Sequence, residues 1–179
     1  MSKIFLSSDL HLSHTNIIKY CNRPWETAEA MNEALIINWN RTVGPDDIVY
    51  LLGDVFFCQA QAAMHLLSRL NGKIRLVLGN HDKVIRNHVP LQKMFDMVLP
   101  ALYGETIDGI HVVMCHYPML SWDRSGRGSF CLHGHVHSVI PNDGQYRRYD
   151  VGVDGNGYAP VSFEHIKSVL TKIEPSVHH

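Results

Sequence analysis

The sequence predicts an α/β fold, and three observations carry that reading. In the first half, short apolar runs alternate with helical periodicity in the order strand, helix, strand, helix, strand, which implies parallel pairing. In the second half the helices give way to closely spaced strand-like runs, two of them joined at Asp108-Gly109. Finally, five separate apolar runs end in a carboxylate, an imidazole or an amide. Open α/β sheets gather their ligands at that position, outside the carboxyl ends of the strands.

In chain order, residues 3–8 (KIFLSS) read as the first strand. Residues 27–41 read as a helix, with Ala28, Met31, Leu35 and Trp39 on one face and Thr27 as its N-cap. The run DIVYLLGD is a second strand. Residues 59–70 are helical, with Ala63, Leu66, Leu67 and Leu70 on one stripe, and Asn71-Gly72 stops them. Ile74 to Leu78 form the third strand. Residues 101–116 read as a hairpin turning at Asp108-Gly109, and SFCLHGH and YRRYDVGV as further strands. Ser162 caps a closing helix that buries Phe163, Ile166 and Leu170, while 121–129 and 141–145 are loops. With no repeat and no linker long enough to divide it, the chain reads as one domain over 1–179, and His178 and His179 as a tag remnant.

Composition narrows the function classes. Hydrophobic residues make up 45% and charged residues 18%, with a net charge of -1, so no global field draws nucleic acid or anionic lipid, and nucleic acid is not indicated as a partner. No long apolar segment precedes Asp9, which argues against a signal peptide, and no apolar run is long enough for a membrane helix. Cys21, Cys58, Cys115 and Cys131 form no C-x-x-C pair, which argues against a zinc ribbon or a disulfide framework and for a cytoplasmic protein with reduced thiols. The oligomeric state is left open.

The polar residues at the strand ends are Asp9 and His11, Asp54 after Gly53, the run Gly79-Asn80-His81-Asp82, His116, and His133, His135 and His137. Any one alone is an ordinary turn residue; their joint occurrence is not. Asp9 and His11 are two apart on a chain expected to be extended, which would put both on one face, and His135 and His137 repeat the spacing. Glycines before Asp54, Asn80 and His135 permit close approach. Oxygen and nitrogen ligands without thiolate suit Mn, Fe, Co, Ni or Zn. Seven such ligands exceed one tetrahedral site; with one shared carboxylate they satisfy two metals about 3.5–4 Å apart.

The order D-x-H, G-D, G-N-H-D, H, G-H-x-H, here Asp9 to His11, Gly53-Asp54, Gly79 to Asp82, His116 and Gly134 to His137, resembles the calcineurin-like metallophosphoesterase superfamily, and the surrounding texture is similar to its small bacterial and phage members. The resemblance implies a four-layer α/β/β/α sandwich, two mixed β-sheets flanked by helices. It implies one metal on Asp9, His11, Asp54 and His137 and another on Asp54, Asn80, His116 and His135, with Asp54 bridging. It leaves His81 unligated and facing the substrate, with Asp82 orienting it. The implied reaction is hydrolysis of a phosphate ester by a water activated between two divalent ions, with His81 stabilising charge or protonating the leaving oxygen. A chain this short has no obvious capping domain, so an open site and a phosphodiester substrate are favoured. A phosphomonoesterase or nucleotidase, a nuclease, and a non-catalytic scaffold on the same fold are the alternatives. His14 is a candidate at the rim of the site, His133 a weaker one, and Arg124 and Arg127 are candidates for gripping a substrate phosphate.

Overall fold

The protein is described here by a computed structural model covering residues 2–140, 142 and 144–175; His178, His179 and part of the loop expected at 141–145 lie outside these residues. In chain order the elements are β1 (Ile4–Ser7), α1 (Thr15–Tyr20), α2 (Ala28–Thr42), β2 (Ile48–Leu51), α3 (Ala60–Leu67), β3 (Lys73–Val77), α4 (Lys83–Arg86), α5 (Val89–Gln92), β4 (Met97–Leu99), β5 (Leu102–Ile107), β6 (Ile110–Cys115), β7 (Phe130–His133), β8 (Arg148–Asp150), β9 (Val161–Ser162) and α6 (Phe163–Leu170).

Two mixed sheets flanked by helices form the α/β sandwich. The first has strand order β4-β3-β2-β1-β9, the second β5-β6-β7-β8. β1 to β4 run parallel, as the alternation of strand and helix requires, and β9 closes the edge antiparallel to β1. In the second sheet β5 and β6 are the expected hairpin, with Ile107 opposite Ile110. Its two turn residues, Asp108 and Gly109, both have positive φ (48° and 78°); that conformation matches the twist of the flanking strands. β7 and β8 then add in parallel.

The period of two along each strand divides the core. Phe5, Val49, Leu51, Ile74 and Leu76 point to one side, where they pack with Met31, Leu35 and Trp39 of α2 and Ala63, Leu66 and Leu67 of α3. Leu6, Tyr50 and Val77 point to the other side and meet Val112, Met114, Phe130 and Leu132 of the second sheet, with Phe163, Ile166 and Leu170 of α6 completing that cluster. Each Val, Leu, Ile, Phe or Met side chain so withdrawn from water contributes about 1.5–3 kcal/mol. The outer face of the second sheet is covered at Val113 and Cys131 by Trp122 and Met119 from the loop that follows β6.

Caps agree with the sequence. Thr27 accepts from the Ala30 amide at 3.1 Å to start α2, and Ser162 accepts from the His165 amide at 3.2 Å to start α6. Helix α3 ends at Leu67, short of the expected residue 70. Elements not anticipated from the sequence are α1, α4, α5, β4 and β9. All are between two and six residues long, too short for a periodic signal.

This topology positions the site. Register pairs Ser7 with Leu51 and Leu51 with Leu76, so β1, β2 and β3 end level, and Met114 beside Leu132 does the same for β6 and β7. The candidate ligands follow these five strand ends.

Candidate metal centre and active site

The seven candidate ligands converge in two clusters. The ligand atoms of Asp9, His11 and His137 lie within 4.8 Å of one another, as do those of Asp54, His116 and His135. Asp54 stands between the clusters. Its Oδ2 is 3.7 Å from His11 Nε2 and 3.4 Å from His116 Nε2. Asn80 joins the second cluster, its Oδ1 being 3.0 Å from His116 Nε2.

The backbone that delivers these residues is not extended. Asp9 (φ 58°), His11 (50°), Asp54 (56°), His135 (73°) and His137 (47°) all occupy the left-handed region. The expectation that Asp9 and His11, and His135 and His137, share a face through strand alternation is therefore corrected. The strands have already ended, and the side chains converge because left-handed residues turn the chain back on itself. Such conformations cost on the order of 1–3 kcal/mol each and persist only where surrounding structure enforces them. Here the Asp9 amide donates to Gly53 O at 3.0 Å and the His11 amide to Asp54 O at 3.0 Å, lacing the two loops together. Two motif glycines permit the packing. A Cβ on Gly79 would stand 2.2 Å from Asp54 Oδ1, and one on Gly134 would stand 2.0 Å from Ser8 Oγ and 2.3 Å from Asp9 Oδ2.

The residues fit divalent cations on a structural test. Asp9 and His11 are 0% and 2% exposed, and Asp9 Oδ1 and His11 Nε2 are buried without a hydrogen-bond partner. Orphaned polar atoms are costly in an interior, and these two face the same cluster. Two of the imidazoles are held with Nε2 free to ligate. His116 Nδ1 donates to Leu52 O (2.7 Å) and His137 Nδ1 donates to Asp154 Oδ2 (2.7 Å). Each bond fixes the tautomer and leaves Nε2 facing the carboxylates.

Electrostatics follow the same geometry. Burial pushes the Asp9 carboxyl up to about 6, against the pull of His116 and His137. Burial pushes His11 down to about 2 and so favours its neutral form, the one a metal requires. Burial opposes charge on Asp54, yet the hydrogen bond and charge of His116 outweigh it and bring the carboxyl down to about 2. His116 is raised despite burial, because Asp54 favours its protonated form. These are clustered acids and bases whose charges a bound cation would replace.

The other candidates fall at different places. His81 is exposed beside the first cluster; its ring centroid is 5.8 Å from that of His11 and 4.9 Å from that of Phe57, and its amide donates to Asp54 Oδ1 at 2.9 Å. His14 is at the rim, with Nδ1 3.3 Å from His11 Nδ1 and its ring stacked on Phe57 (centroids 3.7 Å, interplanar 5°). It makes no capping bond to α1. His133 is buried, its Nδ1 bonded to Gly134 O, and it joins neither cluster.

Two expectations are corrected. Asp82 does not orient the His81 ring. Fully buried, it accepts from the backbone amides of Val55 (2.8 Å), Asp54 (2.9 Å) and Gly79 (2.8 Å), and so ties together the loops after β2 and β3. Arg124 and Arg127 do not reach the site. They line a cleft with Gly109, Ile110 and Ser129, at the start of β6 and β7, whereas the ligands follow the ends of those strands.

Two residues that pattern reading missed complete the centre. Arg23, 4% exposed, donates to the carbonyls of Asp9 (2.7 Å) and Leu10 (2.9 Å) and pairs with Asp154 through Nε (2.8 Å) and Nη2 (2.9 Å). Asp154 in turn holds His137. Asp154 closely follows β8, so the strand-end criterion that found the ligands would have found it too. Nothing in the local sequence distinguishes Arg23.

Comparison with known proteins shows the family and the fold. The calcineurin-like phosphoesterase family model matches residues 2–174. An uncharacterized protein of Methanocaldococcus jannaschii is 36% identical, over 96% of this chain and 93% of its own. The Gene 66 protein of Mycobacterium phage L5 is 28% identical, over 99% of this chain and all of its own. Among solved structures, a protein of unknown function from Aquifex aeolicus superposes with a TM-score of 0.75 at 23% identity, covering 94% of this chain and 99% of that one, which shows a shared fold.

Proposed function

Because the chain belongs to the calcineurin-like phosphoesterase family, we propose that it is a metal-dependent phosphoric ester hydrolase that holds two divalent cations and cleaves phosphodiesters. The observation that carries the two-cation reading is Asp54. One carboxylate oxygen faces the imidazole of each cluster, His11 on one side and His116 on the other. Asp9, His11, Asp54 and His137 would hold one cation; Asp54, Asn80, His116 and His135 would hold the other. Mn, Fe, Zn, Ni and Co all suit this donor set. Bound there, the pair would supply a water acidified toward neutral pH and would neutralise phosphoryl charge.

The chain's own groups do the rest. Asn80 and His81 are adjacent, and their side chains diverge, one toward His116 and the other toward Phe57. His81 is thereby available to protonate the leaving oxygen or to stabilise the developing charge. A diester is favoured because aromatic side chains flank both clusters. Phe57 stands 5.3 Å from His11, and Tyr117 stands 4.7 Å from His135, ring centroid to centroid. A phosphate between them would find an apolar platform for each of two substituents. Four free cysteines suit a cytoplasmic setting.

The test is direct. Elemental analysis after reconstitution should give about two ions per chain, and chelation should abolish hydrolysis. The Mn-loaded protein should hydrolyse bis(p-nitrophenyl) phosphate with a higher kcat/KM than p-nitrophenyl phosphate. One ion or none contradicts the centre; a preference for the monoester contradicts the substrate class.

A further inference from the structure

A groove of about 920 Å³, lined by His81 but by none of the candidate ligands, lies between the loop after β2, the start of α3, and α4. Phe57, Ala62 and Val84 line it, and so do Gln59 and Asn87, two exposed residues with amide side chains. Phe57 is packed between two imidazoles: His14 covers one face of its ring in parallel contact and the His81 ring lies 4.9 Å away, centroid to centroid. His81 is thus the partition between the centre and the groove.

That position has a chemical consequence, which rests on the role proposed above for His81. In-line displacement places the leaving oxygen opposite the attacking water. A group that protonates the leaving oxygen therefore stands on the leaving side, and whatever is attached to that oxygen extends past it. Past His81 lies the groove. Its chemistry is an aromatic and aliphatic wall fringed by two amides, each both donor and acceptor. That combination matches a flat ring with a hydrogen-bonding edge rather than an alkyl chain or a sugar alone. Lys83, also on the groove, adds a cation for the anionic ester. We propose that this groove is the leaving-group subsite and that it takes the nucleobase of a nucleotide ester, with Phe57 and Val84 against the ring and Gln59 and Asn87 at its edge.

Two measurements on the Mn-loaded full chain test this. The first is hydrolysis of adenosine 2′,3′-cyclic phosphate against glycerol 1,2-cyclic phosphate. These share the five-membered cyclic diester and differ in the base and sugar. The wild type should prefer the adenosine ester by about tenfold or more in kcat/KM, the scale of one base–aromatic stack. Ala62→Trp, on the exposed face of α3, should fill the groove and remove that preference while leaving the glycerol ester's rate unchanged; the double variant Gln59→Ala/Asn87→Ala should reduce it. The second measurement is calorimetric binding of adenosine 3′-monophosphate against inorganic phosphate, which needs no turnover. The nucleotide should bind the wild type about tenfold more tightly than phosphate, and Ala62→Trp should equalise them. Hydrolysis without preference, or a preference that Ala62→Trp leaves intact, overturns the subsite. Selective nucleotide binding lost in Ala62→Trp, with neither ester hydrolysed, upholds the groove and overturns the hydrolase reading instead.

Discussion

His81 and Asp82 are neighbours with opposite fates, one exposed beside the candidate ligands and one fully buried. Replacing His81 removes no candidate ligand. His81→Ala should therefore keep both ions and lower kcat by about 10²-fold or more, the scale of a lost general acid or charge stabiliser. The loss should shrink for esters of p-nitrophenol, whose leaving oxygen needs little protonation. Release of a metal from this variant would assign His81 to ligation instead. Asp82 should behave in the reverse way. Its carboxylate satisfies three buried backbone amides, and Asp82→Ala would leave all three without a partner, at about 1–3 kcal/mol each. Urea titration should show a loss of more than about 3 kcal/mol, with metal retention falling in step because the loops carrying Asp54 and Asn80 are no longer tied. An Asp82→Ala protein of normal stability and impaired turnover would restore the orienting role expected from the sequence.

At the level of elements, the strands that lead into the site were legible and the turns after them were not. Apolar runs of four to six residues ending in Asp, His or Asn pointed to β1, β2, β3, β6 and β7, and the ligand positions were visible because each lies within a few residues of a strand end. How the ligands converge was not visible. It depends on five left-handed non-glycine residues, a conformation that propensity disfavours and that only the assembled loops enforce. β4 and β9, three and two residues long, are defined by pairing with neighbours rather than by their own pattern. Arg23 was illegible for a similar reason, since its partners at Leu10 and Asp154 are 13 and 131 residues away. It joins the turn after β1 to the segment after β8, so its loss should be felt at one cluster only. Asp154→Ala should weaken the site of Asp9, His11 and His137 by about 10–100-fold in metal affinity, the usual scale for a partner that orients a ligating histidine. The site of His116 and His135 should be spared. Titration calorimetry showing both sites equally weakened would make the Arg23–Asp154 pair a general stabiliser rather than a positioning device.

Across the whole molecule, each cluster draws on both sheets. Asp9 and His11 meet His137, and Asp54 and Asn80 meet His116 and His135. Asp9 Oδ2 also accepts the His135 amide at 2.9 Å, directly across the sandwich. Asp54→Asn should accordingly deplete both ions, while His137→Ala should deplete one, a contrast that metal analysis of the two variants reads directly. Metal should also raise the melting temperature, because ions that bind only the folded chain stabilise it by about 2.7 kcal/mol at a hundredfold excess over Kd. A thermal scan indifferent to added Mn would contradict that. The division of ligands between the sheets also bears on synthesis. While the chain is leaving the ribosome, its amino-terminal sheet offers each site an incomplete set of donors, and no ion finds its full coordination until residue 137 has emerged and the second sheet has closed over the first. Capture of metal should therefore wait for the second sheet, and a chain cut before His135 would lack a candidate donor for each cluster.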